Sequence, residues 1–317
     1  MKKMKRTKQY IVSAATLSLA CFLRHASATA QDTTEVGAPT SIKNDWKILL
    51  DKDLAHWEKF MGIPHSTVKG LPKGTFQSDN VHVGTPLGLN NDPKNVINMI
   101  EQDSQPVLAI TGEIYGCVST KESFGNYHLS LQFKWGQKKW EPRLNKLRDS
   151  GILYHSFGDH GGIWNVWKAC VEAQIQENEC GDIYLLGSHQ GNPNVFAKTV
   201  PTVGQRFSTW DPKGTDSQQR SRIIKRGNFE KPNGEWNTIE IYTLGDEAFH
   251  LVNGNVVMHI TQIKRNDEPL TSGQIQLQSE GAEIYYRNIK IRNITVFPEY
   301  VLSALNKPYG HSVTENR

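Results

Sequence analysis

From Tyr127 to Trp135 the chain alternates without a break: Tyr127, Leu129, Leu131, Phe133 and Trp135 fall on one side, and His128, Ser130, Gln132 and Lys134 on the other. Successive side chains of an extended chain point to opposite faces, so this pattern predicts a strand with one face in a core and one in water. From Gly234 the run EWNTIEIYTLGDEAFHLVNGNVVMHI predicts strand, tight turn, strand, turn, strand, and Asn253-Gly254 is the hairpin signal because both residues accept the positive φ of a type I′ turn. Two further stretches alternate with a different outer row. VEAQIQ, starting at Val171, sends Val171, Ala173 and Ile175 to the core and lines up Glu172, Gln174 and Gln176 opposite them. GQIQLQ, starting at Gly273, sets Ile275 and Leu277 against Gln274, Gln276 and Gln278. No long segment carries a helical period and no internal repeat is visible, so the fold class is all-β.

Thr, Lys and Glu serve a solvated strand face as well as Gln does, so two glutamine rows are informative. An amide both donates and accepts a hydrogen bond, which suits neutral, hydroxyl-rich ligands; sugars fit that description. Aromatic residues stand near these rows. Trp164 and Trp167 precede the Glu172 strand, and Trp210 lies in a polar loop, roughly Gly204 to Pro232, that is too long for a simple connection and is read as a lid or a disordered stretch. A sugar ring stacking on Trp210 is the expectation.

The chain ends narrow the classes of function. MKKMKRTK, an apolar run from Tyr10 to Leu23 and the small-residue stretch Ala26 to Ala30 form a secretory signal peptide, residues 1–30, too short in its apolar part to span a bilayer. No later stretch is long and apolar enough to do so. The expectation is therefore an exported protein, periplasmic or extracellular; Ser18-Leu19-Ala20 before Cys21 matches a lipid-attachment box poorly. The formal net charge of the full chain is +4, but Lys2, Lys3, Lys5, Arg6, Lys8 and Arg24 leave with the expected signal, so 30 basic residues face 32 acidic ones and the net charge becomes −2. Nothing there favours a nucleic-acid partner. Cys117, Cys170 and Cys180 remain, an odd count; Cys170 and Cys180 are close enough in sequence to bridge, or both stay free. One domain is expected from Asp45 to Phe297, with residues 31–44 as a linker and 298–317 as a C-terminal tail.

The motifs, taken in order, resemble one family. Asp149-Ser150-Gly151-Ile152-Leu153-Tyr154-His155, then Trp164, then Glu172-Ala173-Gln174-Ile175-Gln176-Glu177 and Cys180-Gly181-Asp182, resemble the 3-keto-disaccharide hydrolase domain family. Asp45-Trp46-Lys47-Ile48-Leu49-Leu50-Asp51 with Leu54 and Trp57 looks like its opening strand and Leu-x-x-Trp element. Gly234-Glu235-Trp236-Asn237, the Asn253-Gly254 turn, Gly273 to Gln278 and Arg287-Asn288-Ile289 look like its closing signatures. The resemblance covers roughly Asp45 to Phe297. It implies a two-sheet jelly-roll β-sandwich of the concanavalin A-like lectin/glucanase type, with a concave face that binds carbohydrate. Many members carry Asn where this chain has Asp149 and Arg where it has His155, which implies a branch with its own site chemistry.

Two chemistries are compatible with these residues, and a non-catalytic carbohydrate-binding module is the third reading. Glu172-x-Gln174-x-x-Glu177 looks like the Glu-x-Asp-x-x-Glu strand of laminarinase-type endo-glucanases, whose retaining mechanism needs two carboxylates about 5 Å apart. Here i and i+5 point to opposite faces unless a bulge intervenes, and Gln174 cannot pass a proton. A 3-keto sugar needs less, because the ketone acidifies the hydrogen on carbon 2 and one base starts an elimination that expels the aglycone. The residues assigned to that chemistry are Glu172, His155 and Glu177 as catalytic groups, with Asp149, Gln174, Gln176, Gln276, Gln278 and Trp210 on the substrate. His155 shares parity with Asp149, so the carboxylate can orient the imidazole. No cofactor motif is evident; a divalent ion, if there is one, would sit on His155 and Glu172. The absence of a dinucleotide fingerprint or phosphate loop argues against a redox enzyme.

Overall fold

The computed structural model describes residues 45–306; the segments read as a signal peptide and a linker, and the end of the stretch read as a tail, lie outside the described residues. Apart from one short helix and a 3-10 turn at its end, the described chain is built of strands in two antiparallel sheets. In spatial order the smaller sheet runs Ile183–Leu186, Ala169–Gln176, Asp149–Phe157, Gln274–Ser279, Gly116–Thr120, Trp57–Met61 and Gly88–Leu89. The larger is centred on Tyr127–Lys139, flanked by Asn237–Leu244 and Ala282–Asn293. The alternation predicts its all-β class, and the family resemblance implies the two-sheet jelly-roll sandwich seen here.

The alternating rows meet in the middle. Tyr127, Leu129, Leu131, Phe133 and Trp135 from the larger sheet join Ile152, Tyr154, Val171, Ala173, Ile175, Ile275 and Leu277 from the smaller in one core. Each such side chain contributes about 1.5–3 kcal/mol by leaving water. Two polar ties cross between the sheets where the core accepts them: Ser150 Oγ lies 2.7 Å from the Tyr286 hydroxyl, and His250 Nε2 lies 3.0 Å from the Tyr154 hydroxyl. The Leu-x-x-Trp element closes with Trp57 N–H donating to the Leu54 carbonyl at 2.9 Å, and Trp57 Nε1 ties it to the opening segment by donating to the Leu49 carbonyl at 2.7 Å. The meander from Gly234 forms as read: Asn237–Leu244, Glu247–Val252 and Asn255–Arg265 pair in sequence, and Asn253 and Gly254 take φ of 49° and 77° in the turn.

Two expectations are corrected here, and the open state of the cysteines is resolved. The first part of the stretch read as a tail belongs to the fold. Glu299–Ser303 is helical, and Val301, fully buried, packs with Phe297 on Tyr242, Phe249 and Leu251 of the larger sheet, so part of the face read as wet is covered. The polar segment read as a loop or lid contains Thr209–Trp210 and Thr215–Gln219, both paired to Pro193–Val200. Trp210 is buried in the main core, so no sugar stacks on it. The Cys170–Cys180 bridge does not form: Cys170 packs on the outer side of the smaller sheet, Cys180 in the main core, and both are free.

Candidate active site

Register, more than sequence distance, assembles the polar face. Across the outer side of the smaller sheet Tyr184 faces Glu172, Glu172 faces Leu153, Leu153 faces Gln276, Gln276 faces Ser119 and Ser119 faces Glu58. A neighbouring row pairs Gln174 with Gly151, and Gln278 with Cys117. At its end Asp149 pairs with Gln176 on one side and bridges to Glu280 on the other. Gly151 explains how two of these side chains fit together. A Cβ at that position would collide with Glu172 Oε1 and lie 2.6 Å from Gln278 Oε1, so the missing side chain is the space that the acid and the amide occupy.

Gly151 has no positive φ, so alanine is compatible with its backbone, and G151A is expected to fold with a stability lowered only by the roughly 1–3 kcal/mol of displacing two buried side chains. Displacing Glu172 by about 1 Å should nevertheless lower turnover by about 10²-fold. Steady-state kinetics beside a thermal melt checks this, and full activity in G151A would remove Glu172's position from the mechanism.

The electrostatics of this cluster follow from one cation among three acids. Arg143 Nη2 lies 2.5 Å from Asp149 Oδ2 and Nη1 lies 3.2 Å from Glu280 Oε1. Arg143 also donates to Gln176 Oε1 at 2.6 Å and bonds to the Tyr115 hydroxyl, while its Nε stays buried without a partner. Glu172 has no hydrogen bond or ion pair among the described residues. Burial, with the charge of Asp149 added, holds its carboxyl well above the usual range. Burial likewise pushes Asp149 up to about 7, against the pull of Arg143, and Glu280 is raised by burial and by Asp149. Gln276 Nε2 and Gln278 Oε1 are buried without partners. Each such atom costs about 1–3 kcal/mol, which a ligand hydroxyl placed between them would recover.

Several expected site residues sit elsewhere. His155 occupies a bulge, at φ 49°, where the register with Ala169–Gln176 slips, and the parity it was read to share with Asp149 is lost. Its ring packs 6.2 Å from Tyr127 and 5.2 Å from Tyr154, on the core side, and burial lowers its pKa to about 3. It therefore stands on the opposite side of the sheet from Glu172, and the two cannot share a metal ion or act on one substrate. Among the described residues no group of three or more His, Cys, Asp or Glu is placed to hold a metal. Glu177 lies past the strand end, held by Arg148 Nη1 at 2.6 Å and the Arg148 backbone N–H at 2.8 Å. Burial would raise its pKa, but these bonds and Asn233 outweigh burial and lower it, and it does not pair with Glu172.

Gln174 lies beside the cluster with its Oε1 taken by the Ile175 N–H, and Gln176 holds Arg143 and Glu179. Asp149, Glu172, Gln276 and Gln278 do converge. Arg143, Glu280 and Tyr115 went unread because they come from loops and strand ends without a period. The only sequence signal for Glu280 was its place two residues beyond the second glutamine row.

Residues 45–292 match the profile of the 3-keto-α-glucoside-1,2-lyase-like domain. The chain belongs to that family. Among solved structures, the chain is similar to a putative glycosyl hydrolase from Parabacteroides distasonis, with 18% identity over 79% of this chain and 100% of that one and a TM-score of 0.44. It is also similar to the β-glucanase of Bacillus licheniformis (10% identity, 78% and 97% covered, TM-score 0.39) and to the carbohydrate-binding module CBM66 of Bacillus subtilis (8% identity, 62% and 92% covered, TM-score 0.38). No curated protein matches the chain.

Proposed function

We propose that this protein is an exported enzyme that cleaves 3-keto-glycosides by elimination. The observation that carries the reading is Glu172: a buried carboxylate without a cation of its own, set against unpartnered amides and beside an acid pair that holds Arg143. A structural acid would be paired. In this reading Glu172 takes the proton from carbon 2, and the electrons of that C–H bond form the enediolate with the carbon 3 oxygen. Arg143, oriented by Asp149 and Glu280, offers its free Nε–H to that oxygen. The carbonyl then re-forms, a double bond forms between carbons 1 and 2, and the bond from carbon 1 to the aglycone breaks. Glu172 hands its proton to the departing oxygen. Where hydration follows, water adds its hydroxyl to carbon 1 and carbon 2 regains a hydrogen through Glu172. The amides of Gln276 and Gln278 hold the remaining hydroxyls. A retaining glucanase mechanism has no second carboxylate in Glu177, which Arg148 occupies.

Reaction in heavy water tests this. Methyl 3-keto-α-glucoside should release its aglycone and leave enzyme-dependent deuterium on carbon 2 of the hydrated sugar, whereas the unoxidised glucoside should remain intact. Aglycone release without carbon 2 exchange above the background rate of the ketone would eliminate the mechanism.

A further inference from the structure

We propose that Trp164 is the platform on which the second ring of the substrate, the leaving-group sugar, stacks, and thereby sets the preference for disaccharides over simple glycosides; this rests on the reading of the site as a 3-keto-glycoside-cleaving centre. The indole is 52% exposed although large aromatic side chains gain stability from burial. Its backbone is held at φ 50°, in the left-handed region that a bulky residue adopts only under constraint, and Asn165 follows at φ 59°. Asn or Gly would take both positions without strain. The chain instead fixes the turn: Asn165 Nδ2 donates to the His82 carbonyl at 2.8 Å, and the His82 imidazole is tied to the Trp164 backbone and lies 5.4 Å from the indole. An exposed aromatic face presented at the cost of backbone strain is a binding surface before it is a packing one.

The platform is continuous with the acid cluster. Trp164 meets Trp167 edge-on at 5.8 Å, Trp167 stacks on Tyr115 at 6.0 Å, and Tyr115 bonds to Arg143, which holds Asp149. His82 makes a second path, 5.9 Å from Tyr115. Trp167 is itself locked, with Nε1 donating to the Gly116 carbonyl at 3.1 Å. The buried rings of Trp167 and Tyr115 thus connect the exposed indole to the residues that hold Asp149. For a glycoside whose keto ring lies over Glu172 and the amides, Trp164 is the aromatic face of this cluster left open to the aglycone, and the apolar C–H face of a pyranose matches an open indole flanked by an imidazole that burial keeps neutral.

The test compares wild type, W164A and W164F on 3-keto-trehalose and methyl 3-keto-α-glucoside, with titration calorimetry of unoxidised trehalose alongside. W164A should lower kcat/KM for 3-keto-trehalose about three- to tenfold, mainly through KM, leave the methyl glycoside unchanged, and be largely rescued in W164F. An equal loss on both substrates, or on neither, overturns the platform. If wild type cleaves neither ketone, the elimination reading fails and the platform is judged by binding. Trehalose bound by wild type and released by W164A then supports it, and no binding, or equal binding, refutes it.

Discussion

Replacing Glu172 by Gln is expected to abolish the proton transfer, lowering kcat by about 10²–10⁴-fold, while glycoside binding persists. The same substitution should change stability in a way that depends on pH. Burial holds the Glu172 carboxyl well above its ordinary 4.5, so its contribution to wild-type stability is complete below that value and is lost as pH rises through the folded pKa. E172Q cannot ionise. Its melting temperature should therefore exceed that of wild type at pH 8, and the gap should close toward pH 4.5. The wild-type kcat/KM profile follows the same group in the opposite sense, because the base acts only when ionised: activity should fall as pH is lowered from well above 4.5. Parallel melts and rate profiles from pH 4 to 9 check both, and a flat rate across that range would remove Glu172 as the base.

Removing the cation has the other large effect. In R143A, Asp149 and Glu280, both less than one-sixth exposed, lose the guanidinium that lies between them. Breaking a buried pair of this kind costs about 3–5 kcal/mol at pH 8, a fall of roughly 6–12 °C or more for a domain of this size. Without Arg143 the two carboxyls are raised further, so the variant regains stability as pH falls and they take up protons. Below the unfolded carboxylate range the two proteins should converge. A loss of the same size at pH 4.5 and pH 8 would show that Arg143 acts through packing of its stem alone. R143K, which keeps the charge without the fork, should recover part of the stability and little of the turnover.

Period-two alternation is a local signal, and it was sufficient for the all-β class, the meander and the face that carries Glu172, Gln276 and Gln278. Parity fails where the backbone departs from a regular strand. His155 shows this: one residue at positive φ turns its ring from the face of Asp149 to the core, and no residue type in the DSGILYHS run announces the bulge. Trp210 shows the converse, since the polar residues around it belong to short edge strands whose one apolar side chain turns inward. Arg143 was beyond reach for a different reason. Its role depends on three partners, Asp149, Gln176 and Glu280, that only the completed sheet brings within one guanidinium's span.

The short helix after Phe297 lies beyond the family profile and still packs on the larger sheet. The family profile stops at residue 292, yet Phe297 and Val301 lie beyond it and cover Tyr242, Phe249 and Leu251. A chain trimmed to the recognisable homology would uncover an aromatic strip on the back of the larger sheet, adhesive toward other copies and far from any chemistry. The packed unit therefore extends beyond the family profile by the stretch that carries Phe297 and Val301.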